Sequence, residues 1–242
     1  MSGARERITL EPAFVLHSRE YRDTSRILDV FSAAHGRLTL FARGARGPKS
    51  KLAALLMPFR PLLVSWTGRG DAAQLTGAEC TEHGPSLPAS CLMAAFYLNE
   101  LLMKLTTRHD PLPPLFDSYH ETLLSLRHGA PLEPGLRVFE KRLLEALGYG
   151  LELETEAQTG RRIEPDAYYH FHPARGLFPT VAGAAGALAG RSLLCLAREE
   201  LEGARELEDS RRLLQAALAQ CLEGRPLTTR LVAKSIARRS HV

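Results

Sequence analysis

Short apolar runs separated by Gly and Pro turns occupy the first third of the chain. The pattern predicts strands at residues 13–17, 26–31, 37–41, 61–66 and 72–79 and one helical turn at 52–57. In the third strand Leu38 and Leu40 share one face, and Arg37, Thr39 and Phe41 share the other. Trp66 is expected in the core. Five short strands with tight turns are typical of a five-stranded OB-type barrel.

Apolar residues follow helical spacing in most of the remaining chain. Helices are predicted at residues 88–106, 115–127, 136–147, 210–222 and 227–238. The pattern weakens at about 150–190, which indicates a small irregular insert with a short hairpin. The chain is therefore predicted to be an α+β protein, with an OB-fold at 1–82 and a mainly α-helical domain at 83–242.

Composition narrows the class of protein. The chain has 242 residues, 45% hydrophobic and 24% charged, which is typical of a globular protein and excludes dominant disorder. Its four cysteines lie far apart, so a zinc ribbon or a disulfide scaffold is disfavoured and reduced thiols are expected. The charged first ten residues do not resemble a signal peptide, and no stretch is apolar enough to span a membrane. A cytoplasmic location is expected.

Basic residues are concentrated near the beginning of the chain. Residues 1–80 carry twelve Lys and Arg against seven Asp and Glu, whereas residues 81–242 carry nineteen against twenty. Residues 30–70 contain no acid and seven basic residues: Arg37, Arg43, Arg46, Lys49, Lys51, Arg60 and Arg69. Cations on a small barrel favour contact with a phosphate backbone, and Phe41 could stack on a base. The alternatives are a solvated basic face and a Phe41 that packs in the core.

Other candidate chemistry is weaker. Residues 44–50 resemble a phosphate-binding loop, but Pro48 stands where that motif needs its last Gly and removes an amide donor. His170 and His172 would share a face of a strand and could bind one metal ion, or could simply belong to a polar insert. No hydrolase motif is present. A DNA-binding protein is favoured over a protein-only adaptor and over an enzyme acting on nucleic acid.

Eight segments form an ordered set that spans nearly the whole chain. They are A-F-V-L-H-S-R at 13–19, D-T-S-R-I-L-D-V-F at 23–31, G-R-L-T-L-F-A-R-G-A-R at 36–46, P-F-R-P-L-L at 58–63, Y-L-N-E-L-L at 97–102, L-R-V-F-E at 136–140, L-L-E-A-L-G-Y-G at 143–150 and G-R-P-L-T-T-R at 224–230. Together they resemble the RecO family of bacterial DNA repair proteins. The resemblance implies an N-terminal OB-fold, a helical domain and a recombination mediator that is not an enzyme.

The resemblance also implies partners. Members of the family bind single- and double-stranded DNA, anneal complementary strands, contact the acidic tail of single-strand-binding protein, and with RecR help to load RecA. Backbone contacts of this kind carry no sequence information. The residues expected to hold DNA are Arg19, Arg22, Arg37, Phe41, Arg43, Arg46, Lys49, Lys51 and Arg69.

The acidic tail needs an apolar groove with a cationic rim. The third predicted helix offers Arg137, Lys141 and Arg142 beside an apolar stripe, with Arg137 in the basic position of the family-like L-R-x-F-E segment. The alternative is that these are ordinary solvated charges. Some members of the family carry four zinc-binding cysteines after the L-G-Y motif, whereas residues 154–178 contain none here. We therefore expect no zinc and no other cofactor.

Overall fold

The computed structural model describes residues 6–46, 50–68, 70, 73–81, 86–229 and 231–232. The chain forms two compact units. The first unit combines Met1–His128 with Leu227–Val242, and the second is Gly129–Pro226. The domain boundary predicted after residue 82 falls inside the first unit, among residues outside the described ranges.

The first unit contains a closed five-stranded barrel. Its strands are β1 (Arg7–Tyr21), β2 (Ser25–Ser32), β3 (Gly36–Ala42), β4 (Leu62–Thr67) and β5 (Ala73–Cys80), with the short helix α1 (Lys51–Leu55) between β3 and β4. The strands close in the order β1-β2-β3-β5-β4, and only the β3–β5 pair is parallel. Leu38, Leu40 and Trp66 point into the buried interior, as their positions in alternating strands predict. The predicted OB-like barrel is confirmed.

Strand β1 is much longer than the apolar run that predicts it. Its first half pairs with β4 and its second half pairs with β2. The register shifts between Ile8 and Glu11 and again between Val15 and His17, and each shift marks a bulge that bends the strand. Bending lets one strand serve two neighbours and close the barrel.

Two helices pack on the outer face of β1 and β2. They are α2 (Leu92–Leu105), preceded by a 3-10 turn at Ala89–Cys91, and α3 (Pro113–Arg127). The rings of Phe14 and Phe31 lie 5.5 and 5.6 Å from the ring of Phe116. Asn99 donates to the Leu16 carbonyl at 2.8 Å and accepts from the Tyr119 hydroxyl at 2.6 Å. These buried contacts join both helices to the barrel.

The described C-terminal residues are attached to α2 through Glu100. The Glu100 carboxylate accepts hydrogen bonds from the backbone of Thr228 and Thr229 at 2.8 and 2.9 Å, and lies 3.0 Å from Lys104 Nζ. Burial alone would raise the pKa of Glu100, but the hydrogen bonds from Thr229 and Thr228 and the contact with Lys104 lower it from 4.5 to about 2. The helix predicted at 227–238 lies mostly outside the described residues.

Acid is expected to release residues 227–229 from α2. A carboxyl whose pKa is lower in the folded state contributes stability that is fully present above about pH 4.5 and is lost as the pH falls towards 2. The protection factors of the amides of residues 227–229, which are exchange rates corrected for the intrinsic rate at each pH, should therefore fall over this range. The Glu100→Gln variant should show fast exchange already at pH 7, whereas Glu79→Gln, on the exposed part of β5, should behave as wild type. Wild-type protection of these amides in Glu100→Gln at pH 7 would contradict the prediction.

The second unit contains three helices and a small sheet. The helices are α4 (Leu132–Ala146), α5 (Gly190–Arg198) and α6 (Ala204–Leu222), and the sheet has the order β7-β6-β8, with β6 (Tyr168–His172), β7 (Gly176–Thr180) and β8 (Leu188–Ala189). The predicted hairpin in the insert is present as β6 and β7. Helix α5 was not predicted, and α4 and α6 begin four and six residues earlier than expected. Pro134 is tolerated in α4 because backbone N–H groups of a first helical turn have no intrahelical partner.

Candidate nucleic-acid interface

Four of the predicted DNA-binding arginines lie at one end of the barrel. Arg19 and Arg22 are exposed at the end of β1 and in the turn to β2, and Arg43 and Arg46 are exposed just after β3. The Arg46 amide donates to the Thr24 carbonyl at 3.2 Å, so the two segments are adjacent. We call this end, residues 19–26 and 41–46, the barrel tip.

Aromatic side chains lie among these cations. Arg19 pairs with Ile27 across β1 and β2, and Ile27 pairs with Phe41 across β2 and β3, so the three side chains share the outer face of the sheet. The rings of Tyr21 and Phe41 meet edge to face at 5.6 Å. The Arg22 guanidinium lies 5.2 Å from the centre of the Tyr21 ring. Phe41 therefore lies outside the barrel core, half-buried against Tyr21.

Tyr21 is a candidate site residue that the sequence analysis missed. It follows Arg19 by two positions on β1, so both side chains lie on the same side of the strand. The sequence R-E-Y-R at 19–22, in which an aromatic residue lies between cations, could have indicated this site. Residues 22–24 form the turn to β2, which brings Tyr21 opposite Ser25 and close to the end of β3.

Arg46 contributes to the shape of the barrel tip. Its guanidinium lies 2.7 Å from the Glu20 carboxylate and donates to the Arg22 carbonyl at 3.1 Å. The barrel tip carries five arginines (Arg19, Arg22, Arg26, Arg43 and Arg46) against Glu20 and Asp23, a net charge of +3. Since Glu20 is paired with Arg46, the exposed charge rests mainly on Arg19, Arg22 and Arg43.

Arg37 lies at the opposite end of β3. It is half-buried, and its guanidinium donates to the carbonyl and hydroxyl oxygens of Thr106 at 2.8 and 3.3 Å. Gly36 has a φ of 64°, and a Cβ there would lie 2.1 Å from the Asp110 carbonyl oxygen, so the backbone after α2 packs directly on the start of β3. Arg37 precedes Phe41 by four positions, about 13 Å along a strand. The predicted set is therefore split, and Arg37 is not part of the barrel tip.

Of the three remaining predicted basic residues, the structure describes only Lys51. Lys51 is exposed at the first position of α1, where Ser50 caps the helix by accepting from the Ala53 amide. Lys49 and Arg69 lie outside the described residues. The candidate interface therefore consists of the barrel tip, with Tyr21 and Phe41 at its centre.

The cations predicted to bind an acidic tail lie on α4 and differ in their exposure to solvent. Arg137 is buried, with 4% of its surface exposed, and its guanidinium lies 3.2 Å from the fully buried Glu140 carboxylate, although the two groups are not aligned as a hydrogen bond. This is a correction to the expectation of a surface cation, since a buried group cannot meet a peptide from solution. Arg142 is 36% exposed and contacts Glu199 through two nitrogens, at 2.7 and 3.2 Å.

Lys141 shares the same carboxylate. Its Nζ lies 3.0 Å from Glu199 and 2.9 Å from Glu145. Burial would lower the pKa of Lys141, but the hydrogen bonds with Glu145 and Glu199 raise it. Burial would raise the pKa of Glu199, but Arg142 and Lys141 lower it. Lys141 and Glu199 are therefore charged at neutral pH.

His170 and His172 share one exposed face of β6, as their spacing predicts. Within the described parts of the chain, no three His, Cys, Asp or Glu side chains come together in a group that could hold a metal ion. The described parts of the chain also contain no helix that is long and apolar enough to cross a membrane.

Sequence comparisons match both parts of the chain. A family model described as "Recombination protein O N terminal" matches residues 7–83, and one described as "Recombination protein O C terminal" matches residues 90–231. The protein named "DNA repair protein RecO" from Methylococcus capsulatus is 43% identical over 234 residues, which cover 96% of each chain. The protein of the same name from Nitrosococcus oceani is 43% identical over 240 residues, covering 98% of this chain and 97% of the relative.

Proposed function

Both family models and the relatives over almost full length place this chain in the RecO family of DNA repair proteins, and we propose that its barrel tip binds single- and double-stranded DNA. The observation that carries the proposal is the cluster of exposed Arg19, Arg22 and Arg43 around Tyr21 and Phe41. Cations next to aromatic rings are the combination that single-strand binding uses, because bases stack while phosphates are neutralised.

The proposed activity is strand annealing without a covalent step. Two DNA strands repel each other through their phosphates, and a protein surface that neutralises both lowers this repulsion. Contacts to the backbone do not distinguish sequences, so the same surface can accept any complementary pair. The protein would act at the nucleoid in the cytoplasm, and with RecR it would help RecA to load on single strands coated by single-strand-binding protein.

Annealing of two labelled complementary oligonucleotides tests the proposal. The strands are coated with single-strand-binding protein and mixed with and without this protein, in the absence of nucleotide and metal, and energy transfer between the labels reports duplex formation. We expect clear acceleration by the protein at low salt and its decline as salt rises. Failure to bind single-stranded DNA at about 50 mM salt would overturn the proposal and favour a protein-only adaptor.

We further propose that the acidic tail of single-strand-binding protein docks beside Arg142 and Lys141 on α4. Both side chains are charged and contact the Glu199 carboxylate, which shows that their geometry suits a carboxylate ligand. An incoming tail would exchange with Glu199 or share its cations.

Replacement of Arg142 should weaken tail binding. In Arg142→Ala, affinity for a fluorescent peptide of the tail should fall by about fivefold or more, the equivalent of about 1 kcal/mol for one charged contact. Arg211→Ala on α6 removes an exposed arginine paired with Glu208 and serves as the control. Equal affinities for wild type and Arg142→Ala would exclude this docking site.

A further inference from the structure

The sheet of the second unit has one buried and one exposed face. Tyr169 and Leu177 lie on the buried face, each with 1% of its surface exposed. On the other face His170 is directly opposite Phe178, and His172 is opposite Gly176. Both histidines are exposed and Phe178 is half-buried. We call this side, with Tyr168, His170, His172 and Phe178, the insert face.

Two arginines from different elements cover aromatic rings of the insert face. Arg175, in the β6–β7 turn, places its guanidinium 4.9 Å from the centre of the Phe178 ring. Arg205, in the first turn of α6, lies 5.4 Å from the centre of the Tyr168 ring. Gly176 has a φ of 90°, a conformation that ends the three-residue turn and returns the chain antiparallel. The turn thereby keeps Arg175 next to Phe178.

We propose that the insert face is a second binding site for single-stranded DNA. Base stacking on an aromatic ring is stronger than an exposed cation–π contact, so a base can displace the guanidinium, which remains close enough to neutralise a phosphate. Tyr168 and His172 are about 13 Å apart along β6, which gives a strand several contacts. The inference rests on the proposed function, because it supposes that the protein binds single-stranded DNA.

Charge favours nucleic acid as the occupant of this face. Residues 168–180, which form β6, β7 and their turn, include the cation Arg175 and no acid. On the α6 side, Asp209 is paired with Arg205 at 3.7 Å, and the Glu206 carboxylate accepts from the Gly203 amide. The nearby Asp166 carboxylate is paired, at 3.7 Å, with Arg191. A metal is a poorer fit, since His170 and His172 gain no third ligand among the described residues. A second site on the other unit would increase the number of contacts that one molecule can make with single-stranded DNA.

A tryptophan reporter tests the inference directly. The chain has one tryptophan, Trp66, which is buried in the barrel. In Phe178→Trp, titration with oligo(dT) should quench the fluorescence of the introduced indole in a saturable manner, while wild-type fluorescence changes little. When Arg175→Ala is added to Phe178→Trp, the oligonucleotide concentration needed for half-maximal quenching should rise about fivefold or more. When Arg211→Ala is added instead, that concentration should not change.

The outcomes separate the inference from the function on which it rests. Anisotropy of the same oligonucleotide shows whether the protein binds DNA at all. Binding by anisotropy without quenching overturns the second site and leaves the barrel tip in place, whereas absence of both overturns the proposed function. Equal quenching by poly-glutamate would assign the face to an acidic protein segment and overturn the inference. Photocrosslinking of wild type to a bromodeoxyuridine oligonucleotide, expected at residues 168–178, provides the same test without a substitution.

Discussion

Replacing Arg19, Arg22 and Arg43 together by glutamine is expected to lower the affinity for single-stranded DNA on the order of 10²-fold at about 0.1 M salt. Each phosphate contact on a single strand contributes about −0.7 to the slope of log K against log salt concentration, so three contacts contribute about −2. At about 0.1 M salt, a slope difference of about 2 corresponds to two decades of affinity. Anisotropy titrations of a labelled oligonucleotide at several salt concentrations measure both quantities.

A control variant removes the same charge elsewhere. Three exposed arginines outside the barrel tip serve for this control. Arg7 is the first residue of β1, Arg60 precedes β4, and Arg211 is on α6. Their replacement by glutamine should change the affinity and the slope much less than the barrel-tip variant. Tyr21→Ala should lower the affinity by about fivefold or more with an unchanged slope, because stacking releases no counterions. Equal effects of the two triple variants would show that only net charge matters and that the barrel tip is not the site.

The barrel could be predicted because its strands carry strong local signals. Leu38 and Leu40 alternate with polar positions in β3, and Gly and Pro mark the turns. The length of β1 could not be predicted in this way, since residues on either side of 13–17 are extended through pairing with β4 and β2. Pairing partners that are distant in sequence leave no periodic signal in the strand itself.

Helix α5 was missed although its sequence carries a helical signal, since Leu193 and Leu196 lie three positions apart on one face. Its first residue, Gly190, follows a Gly/Ala-rich stretch that favours an irregular reading. A Cβ at Gly190 would lie 1.9 Å from the Glu164 carbonyl oxygen, so the backbone there packs against a segment more than 20 residues earlier. Leu193 and Leu196 then become buried. The sequence indicates the apolar face but not the close backbone approach at which the helix begins.

Only part of the candidate site could be predicted, because part of it depends on contacts between residues distant in sequence. Charge density along the chain located the barrel tip, because Arg43 and Arg46 follow β3 in a tight segment. Strand pairing, which the sequence does not reveal, separated Arg37 from it and added Tyr21. On α4 the sequence shows cations beside an apolar stripe, but not which flank of the stripe other residues cover. The family-like segment therefore favoured Arg137, although that residue is buried and Arg142 is partly exposed.

Replacing Arg137 by alanine is expected to destabilise the second unit by about 3–5 kcal/mol, because it removes a counter-charge of the fully buried Glu140 carboxylate. Arg142→Ala, five residues later on the same helix, breaks a partly exposed contact and should cost at most about 1 kcal/mol. Urea unfolding followed by circular dichroism measures the free energy of unfolding of each variant.

The double variant Arg137→Met with Glu140→Leu should recover most of the stability lost in Arg137→Ala, because apolar side chains of similar size need no counter-charge. An Arg137→Ala protein as stable as wild type would contradict the buried ion pair. The same measurement decides how tail-binding data are interpreted. Loss of tail binding in Arg137→Ala together with lost stability reflects a disturbed α4, whereas loss in a fully stable Arg142→Ala reflects a missing contact with the tail.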